Sequence, residues 1–489
     1  MLTNTKPSSS NKKINDELRQ KYLQAFSDRY TKRTKSSKQM TQAYRSVLAD
    51  PRVSEFFDAS TKEMCYLNVA EKAQGSKVWD LDGNEYIDII MGFGSNLLGH
   101  NSPLIKEAIQ EQLEKGFPLG PQSEYVGEVA ELISELTGME RVAFSNTGTE
   151  AVMTAIRLAR SHTKRKKIAI FTNSYHGHAD GVLAYSLGFK LPKSLEKLGG
   201  SILTSRINSW ALPGSRGIPY SVTKNVLMLE YGSPQALNII KANRGKIAAV
   251  LVEPMQTNRP DIQPREFIHQ LRKLTQKSGI ALIFDEMVTG FRLHQGGAQA
   301  WYGVEADIAT YGKVVGGGMP IGIIAGKKAY LDHIDGGMWS YGDDSTPQVE
   351  ATFFAGTHCK HPLAIAASRA VLKHLKERGP SLQEQLNQKT SQFVAKLNTF
   401  LAAHKLPLKM GNFGSFFGPV LTTEDGAVYQ SLMMDWGLLR DNLFERGILH
   451  RGEGGGFLST AHSDEDINSI IQAFQESIDE LQDNGFLLL

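Results

Sequence analysis

The chain has 489 residues, 41% hydrophobic and 21% charged, the balance of a soluble globular protein with material for a large core. No run approaches the roughly 18 consecutive apolar residues of a membrane span, and the polar start MLTNTKPSSSNKK lacks a secretory apolar stretch, so no membrane partner is expected. Two cysteines, Cys65 and Cys359, exclude a disulfide framework and a zinc site and fit a reducing cytoplasm.

Residues 1–50 carry 11 Lys/Arg against 4 Asp/Glu and read as a basic, solvated tail or linker, with short helices in DELRQKYLQAFSDRY and SKQMTQAYRSVLAD. They hold no aromatic platform and no nucleic-acid module, so nucleic acid is not expected as a partner. SKVWDLDGNEYIDI at 76–89 reads as a hairpin, with residues alternating around Asp-Gly-Asn. SPLIKEAIQEQLEKG at 102–116 reads as an amphipathic helix capped by Ser102, with Pro103 in its first turn and Gly116 at its end. Then helices alternate with the apolar runs RVAFSN, KIAIFTN, NVLMLEY, IAAVLVEP, IALIFDE and IGIIAG, which predicts a mostly parallel α/β sheet. After residue 360 a long helix, HPLAIAASRAVLKHLKERG, leads into an α+β region ending in HSDEDINSIIQAFQESIDELQ.

Functional groups in such sheets collect at the carboxyl ends of the strands. In SNTGTEAVMTAIRLAR, Thr147, Gly148 and Thr149 stand where a strand passes into a helix, which suits an anion or plain helix capping. Tyr175 and His176 follow the next strand; the tyrosine can stack on a flat ring or pack. The HxH pair has no further ligands at a useful spacing, so no metal is expected there. Asp285 and Glu286 end IALIFDE, where a carboxylate needs a cation or a donor: a ring nitrogen, a metal, or a structural pair with Arg292. Lys313 in TYGKVVGGGMP lies on a turn between strands. That stretch lacks the earlier glycine and the Ser/Thr of a phosphate loop, and GFGSNLLG at 92–99 lacks the dinucleotide spacing. A buried lysine has a lowered pKa and becomes a nucleophile that forms Schiff bases, the alternative being an ordinary surface lysine, and Gly316–Gly318 leave room for a ligand. A phosphate, a flat ring, a basic ring nitrogen and an aldehyde together describe pyridoxal 5'-phosphate (PLP).

From about residue 60 to 480 the chain resembles class III aminotransferases of PLP fold type I, through SNTGTEAVMTAIRLAR, YHGHADG, LIFDEMVTGFR, GGAQAWYGVEADIATYGKVVGGGMPIG and FFAGTHCKHPLAIAA. Within them it is similar to glutamate-1-semialdehyde aminomutases. LGPQSE, GGMWSYGDDSTPQVEATFFAGT and ILHRGEGGGFLSTAHSDEDI look more like aminotransferase domains of cyanobacterial polyketide and peptide assembly lines. The resemblance implies a large domain with a mostly parallel seven-stranded sheet flanked by helices, at 116–365. It implies a smaller α+β domain built from both chain ends, 51–115 and 366–489.

By the same resemblance Lys313 forms the Schiff base with PLP and moves the substrate proton, and Asp285 keeps the pyridine nitrogen protonated. Val288 and Tyr175 flank the ring, with His176 beside it. Thr147, Gly148 and Thr149 hold the phosphate, completed by Thr357 from the second subunit of a homodimer. Phe93, with Arg292, lines the substrate pocket. The implied reaction moves an amino group from an amino-acid donor such as glutamate, through the pyridoxamine form, to a keto or aldehyde acceptor. The assembly-line likeness implies a β-ketoacyl chain on an acyl carrier protein. An intramolecular aminomutase and a non-catalytic PLP-binding scaffold are the alternatives. Three departures stand out: AGTHCKHPLA replaces AGTLSGNPLA, VLAYSLGFKLPKSLEKLGG replaces a glycine-rich loop, and 338–350 read as an insertion.

Overall fold

The computed structural model describes residues 9–51, 57–186, 211–422, 426–450 and 455–487. Most of VLAYSLGFKLPKSLEKLGG, and Arg451–Gly454 of ILHRGEGGGFLSTAHSDEDI, lie outside the described residues.

The first small sheet is formed by β1 (Ala70–Gln74), β2 (Lys77–Asp80) and β3 (Glu85–Asp88), with β2 and β3 making the expected hairpin. The helix α1 (Pro103–Lys115) follows. Gly116 ends it at φ +77, but Ser102 gives it no side-chain cap, so Pro103 and the preceding extended residue set its start. Next come α2 (Val126–Thr137), β4 (Arg141–Ser145), α3 (Gly148–Thr163), β5 (Lys167–Phe171), β6 (Val226–Leu229), β7 (Ile247–Val252), α4 (Arg265–Ser278), β8 (Ala281–Asp285), β9 (Ile308–Tyr311) and β10 (Gly322–Gly326).

The seven strands β4 to β10 form one sheet in the order β4-β10-β9-β8-β7-β5-β6. Neighbours are parallel except β10, which is antiparallel to both β9 and β4. Six of these strands are the six apolar runs. The seventh, β9, hides in ADIATYG, where only four residues pair. β7 and β8 are buried along their whole length because helices cover both faces of the sheet, which is why they read as unbroken apolar runs and do not alternate.

After the sheet come α5 (Pro362–Arg378), α6 (Ser381–Ala403), β11 (Leu408–Phe413), β12 (Phe416–Leu421), α7 (Gly426–Glu445), β13 (Ile448–Leu449), β14 (Gly456–Phe457) and α8 (Asp464–Asp483). β13 lies parallel to β3, so the early and late parts of the chain share one small sheet.

The expectation of a solvated tail fails for residues 19–37. A helix at Ser9–Arg33 buries Tyr22, Phe26 and Tyr30 against Phe444 and Phe486. The Tyr22 hydroxyl donates to Asn442 at 2.9 Å, and Arg29 bonds Glu445 and Glu480. The aromatic spacing Tyr22, Phe26, Tyr30 is an i, i+4, i+8 stripe, an apolar face that the surrounding charge conceals in the composition.

Candidate active site

The parallel strands all end at one edge of the sheet, and the polar residues that follow them meet there. Asp285 and Glu286 are adjacent in sequence but diverge. Asp285 is the last residue of β8 and is 4% exposed. Its Oδ2 lies 2.7 Å from His176 Nδ1, and its Oδ1 accepts from the Met287 amide at 3.2 Å and the Thr310 hydroxyl at 3.3 Å. Glu286 turns the other way, accepting from the Ala298 and Gln299 amides and the Thr289 hydroxyl, at 2.7, 3.1 and 2.7 Å. It ties down the start of the short helix Gly297–Tyr302. Burial nonetheless raises its pKa to about 7.

A third carboxylate escaped the sequence reading. Glu253 follows β7 just as Asp285 ends β8, and it is 5% exposed. Its Oε2 accepts the Tyr175 amide at 3.0 Å. Burial raises its pKa to about 7; His176 opposes the rise, Asp285 adds to it, and the Tyr175 amide and Lys313 oppose it. Glu253, Asp285, His176 and Lys313 therefore lie within one electrostatic neighbourhood. The same signal that marked Asp285, a carboxylate closing an apolar strand, marks Glu253. His176 is buried, and its Nε2 has no hydrogen-bond partner. Tyr175 is 58% exposed, its amide fixed and its ring free at the edge.

Lys313 opens a turn after β9 in a left-handed conformation, φ +42, and is half-buried. Met287 joins this turn to the start of α3. Its Sδ stands 2.7 Å from where a Cβ on Gly148 would lie and 2.9 Å from one on Gly312. Thr147 caps α3, accepting the Glu150 amide at 3.2 Å, and Thr149 Oγ1 accepts the His178 amide at 3.4 Å. Both readings of this stretch therefore coexist: the threonine caps the helix, and the helix N-terminus opens at the strand ends.

Met91, Gly92, Phe93 and Gly94 adopt φ of +47, +60, +54 and +89, a left-handed helical turn. Two of the four carry side chains, each strained by about 1–2 kcal/mol. Phe93 is 46% exposed, and the turn packs against Lys313–Gly316. Arg292 does not pair with Asp285 and presents almost no surface, at 1% exposed. It donates to Ser415 Oγ at 2.5 Å and to the Gly94 carbonyl, and its guanidinium lies 4.9 Å from the Phe457 ring centre. It is buried behind the expected pocket, and burial lowers its pKa to about 9. Val288 is partly buried against the main core. Thr357 is exposed, beside Gly356, whose Cβ would lie 3.1 Å from Asn146 Nδ2.

The family profile described as Aminotransferase class-III matches residues 58–474. The chain belongs to the class-III aminotransferase family. It is 34% identical over 421 residues to a glutamate-1-semialdehyde 2,1-aminomutase of Alkaliphilus oremlandii, covering 84% of this chain and 91% of that one. A solved transaminase with PLP bound superposes with a TM-score of 0.76 at 26% identity, covering 92% of this chain and 99% of the other. A β-phenylalanine aminotransferase from Variovorax paradoxus gives 0.76 at 26%, covering 96% and 98%. This class-III aminotransferase is thus a PLP-dependent aminotransferase or aminomutase of fold type I.

The strand-end groups suit that cofactor. Asp285 is a buried carboxylate with polar support on both oxygens, and Lys313 supplies an amine within reach of Glu253's field. At the N-terminus of α3 Gly148 keeps backbone accessible where any side chain would strike Met287.

Proposed function

We propose that this class-III enzyme moves an amino group from an amino-acid donor, glutamate being the first candidate, to a separate keto or aldehyde acceptor. The observation that carries this reading is the meeting of Asp285, His176, Glu253 and Lys313 at the sheet edge beside the N-terminus of α3. PLP, when bound, supplies an electron sink that makes loss of a proton beside the amino group feasible. Lys313 would hold the cofactor's aldehyde end, and its Nζ would take and return that proton. Asp285 would hold the ring nitrogen and keep it protonated, while His176 orients Asp285 by its 2.7 Å contact. Tyr175 and Val288 flank the ring. Thr147, Gly148 and Thr149 bind the phosphate with the helix N-terminus. We place Thr357 in the phosphate site of the other subunit of a homodimer.

The acceptor we propose is a β-ketoacyl chain on an acyl carrier protein. It is supported by the motif departures and by the exposed Trp339 and Tyr341 within, and Phe353 just after, the residues that read as an insertion. Of the basic N-terminal stretch, Arg19 and Arg29 are engaged within the chain by Asp435, Glu445 and Glu480. The aminomutase reading has its own support in the Alkaliphilus relative.

One experiment separates the two. The absorption spectrum is recorded before and after L-glutamate, with Lys313→Ala as control, and product is then assayed with free and carrier-bound β-keto acceptors. A glutamate-dependent spectral change with 2-oxoglutarate release supports aminotransfer. No response to any amino donor, together with isomerisation of glutamate semialdehyde, moves the assignment to the aminomutase.

A further inference from the structure

We propose that Arg292 is a positioning residue that locks the left-handed Met91–Gly94 turn and so fixes Phe93 beside the Lys313 turn, without touching substrate. This rests on the reading of the sheet edge as the active site.

The turn's own backbone bonds, from the Gly94 amide to the Ile90 carbonyl and from the Ser95 amide to the Gly92 carbonyl, both 3.2 Å, leave the Gly94 carbonyl to other partners. From one side Asp88 Oδ1 accepts the Ile90 and Met91 amides at 2.7 and 3.1 Å, and its Oδ2 lies 2.6 Å from His100 Nε2. Behind the turn, the Asn96 amide donates to the Met91 carbonyl at 3.0 Å, and the Asn96 Oδ1 lies 3.1 Å from where a Cβ on Gly318 would be. At the far end, among the described residues, only Arg292 reaches the Gly94 carbonyl. Gly94 has no room for a side chain, since a Cβ there would lie 2.7 Å from the Phe457 ring.

The guanidinium is spent on neutral acceptors: the Gly94 and Leu458 carbonyls and the Ser415 hydroxyl, with Phe457 against its face. Such a cation costs free energy to bury, and it persists where several backbone segments need a planar, multidentate donor. Here it joins three of them: the loop that starts at Asp285 and carries Val288, the turn carrying Phe93, and the β12–β14 region of the smaller domain. A substrate carboxylate has no path to it, at 1% exposure.

The clamp is tested by hydrogen–deuterium exchange on the holoenzyme. In Arg292→Lys, amides of 89–97 exchange about tenfold faster while those of α2 are unchanged. Unchanged exchange at 89–97 overturns the clamp whether or not the enzyme turns over. Kinetics then tests the purpose: KM for the amino donor rises about tenfold with kcat nearly constant, and in a Phe93→Ala background the same change alters KM less than about twofold. An equal rise in both backgrounds means that Arg292 binds substrate directly and overturns the proposal. Gly94→Ala disturbs the turn from the Phe457 side and gives the same KM signature if Arg292→Lys fails to fold; a normal KM there overturns the proposal too. Absence of any donor turnover in the unaltered enzyme refutes the aminotransferase reading separately.

Discussion

The edge of the seven-stranded sheet and the seam between the N-terminal helix and the last helices both concentrate charge, but they treat it oppositely. At the seam Arg29 and Arg446 are matched by Glu445, Glu476 and Glu480, although burial raises the carboxyls of Asp435 and Asp441 there. Glu480 is held below the usual carboxylate range because Arg446 and Arg29 outweigh the opposing effect of burial. The hydrogen bonds that Arg29 donates to Glu445 strengthen its hold on its proton. At the sheet edge two buried carboxyls, Glu253 and Glu286, are raised to about 7, and His176 keeps an unpartnered nitrogen. Charge that is neutralised stabilises; charge that is left in tension is available for chemistry.

The largest expected effect is at the sheet edge. Lys313→Ala lowers turnover by about 10³-fold or more while circular dichroism stays that of the folded protein; near-normal turnover breaks the assignment of the edge as catalytic. At the seam the counterpart is Phe26→Ala, expected to cost about 3–5 kcal/mol in denaturant unfolding while the folded fraction keeps its kcat. A stability loss under about 1 kcal/mol would mean that the helix is not part of the core.

Glu253→Gln sharpens the contrast. A carboxyl whose folded-state pKa is raised does not penalise stability below its ordinary value of 4.5, and the penalty grows as pH rises through about 7. The wild type should therefore lose thermal stability between these pH values, and Glu253→Gln should lose less over the same range. Parallel curves would show that Glu253 carries no penalty. The smallest effect belongs to Arg29→Ala. Its side chain is 46% exposed, so solvent screening should hold the cost to about 0–1 kcal/mol by thermal unfolding, despite two carboxylate partners.

Much of this contrast was legible before any coordinates. Asp285 and Lys313 stood out because a charge after an apolar strand needs a reason, and six of the seven strands were apolar runs. Glu253 carries the same mark, a carboxylate closing the apolar run IAAVLVEP. What the alternation of residues does not show is direction at a strand end. Asp285 and Glu286 look equivalent in sequence, and only the pleat sends one to His176 and the other to the Ala298 amide. Arg292 was misread for the related reason that a sequence gives charge without burial. The N-terminal helix was hidden because the eleven basic residues of 1–50 outweigh its aromatic stripe Tyr22, Phe26, Tyr30 in the composition.

The antiparallel strand β10 has a consequence in time. β4, which leads into the Thr147–Thr149 turn, joins the sheet only by pairing Ser145 with Gly322 and its neighbours. Everything from β5 to β9 is synthesised between these two partners, so the edge strand waits for almost the whole large domain to emerge. Such long-range pairing is slow and is completed late. A nascent chain can thus bring Asp285 and Lys313 together before β4 and the Thr147–Thr149 turn have docked beside them.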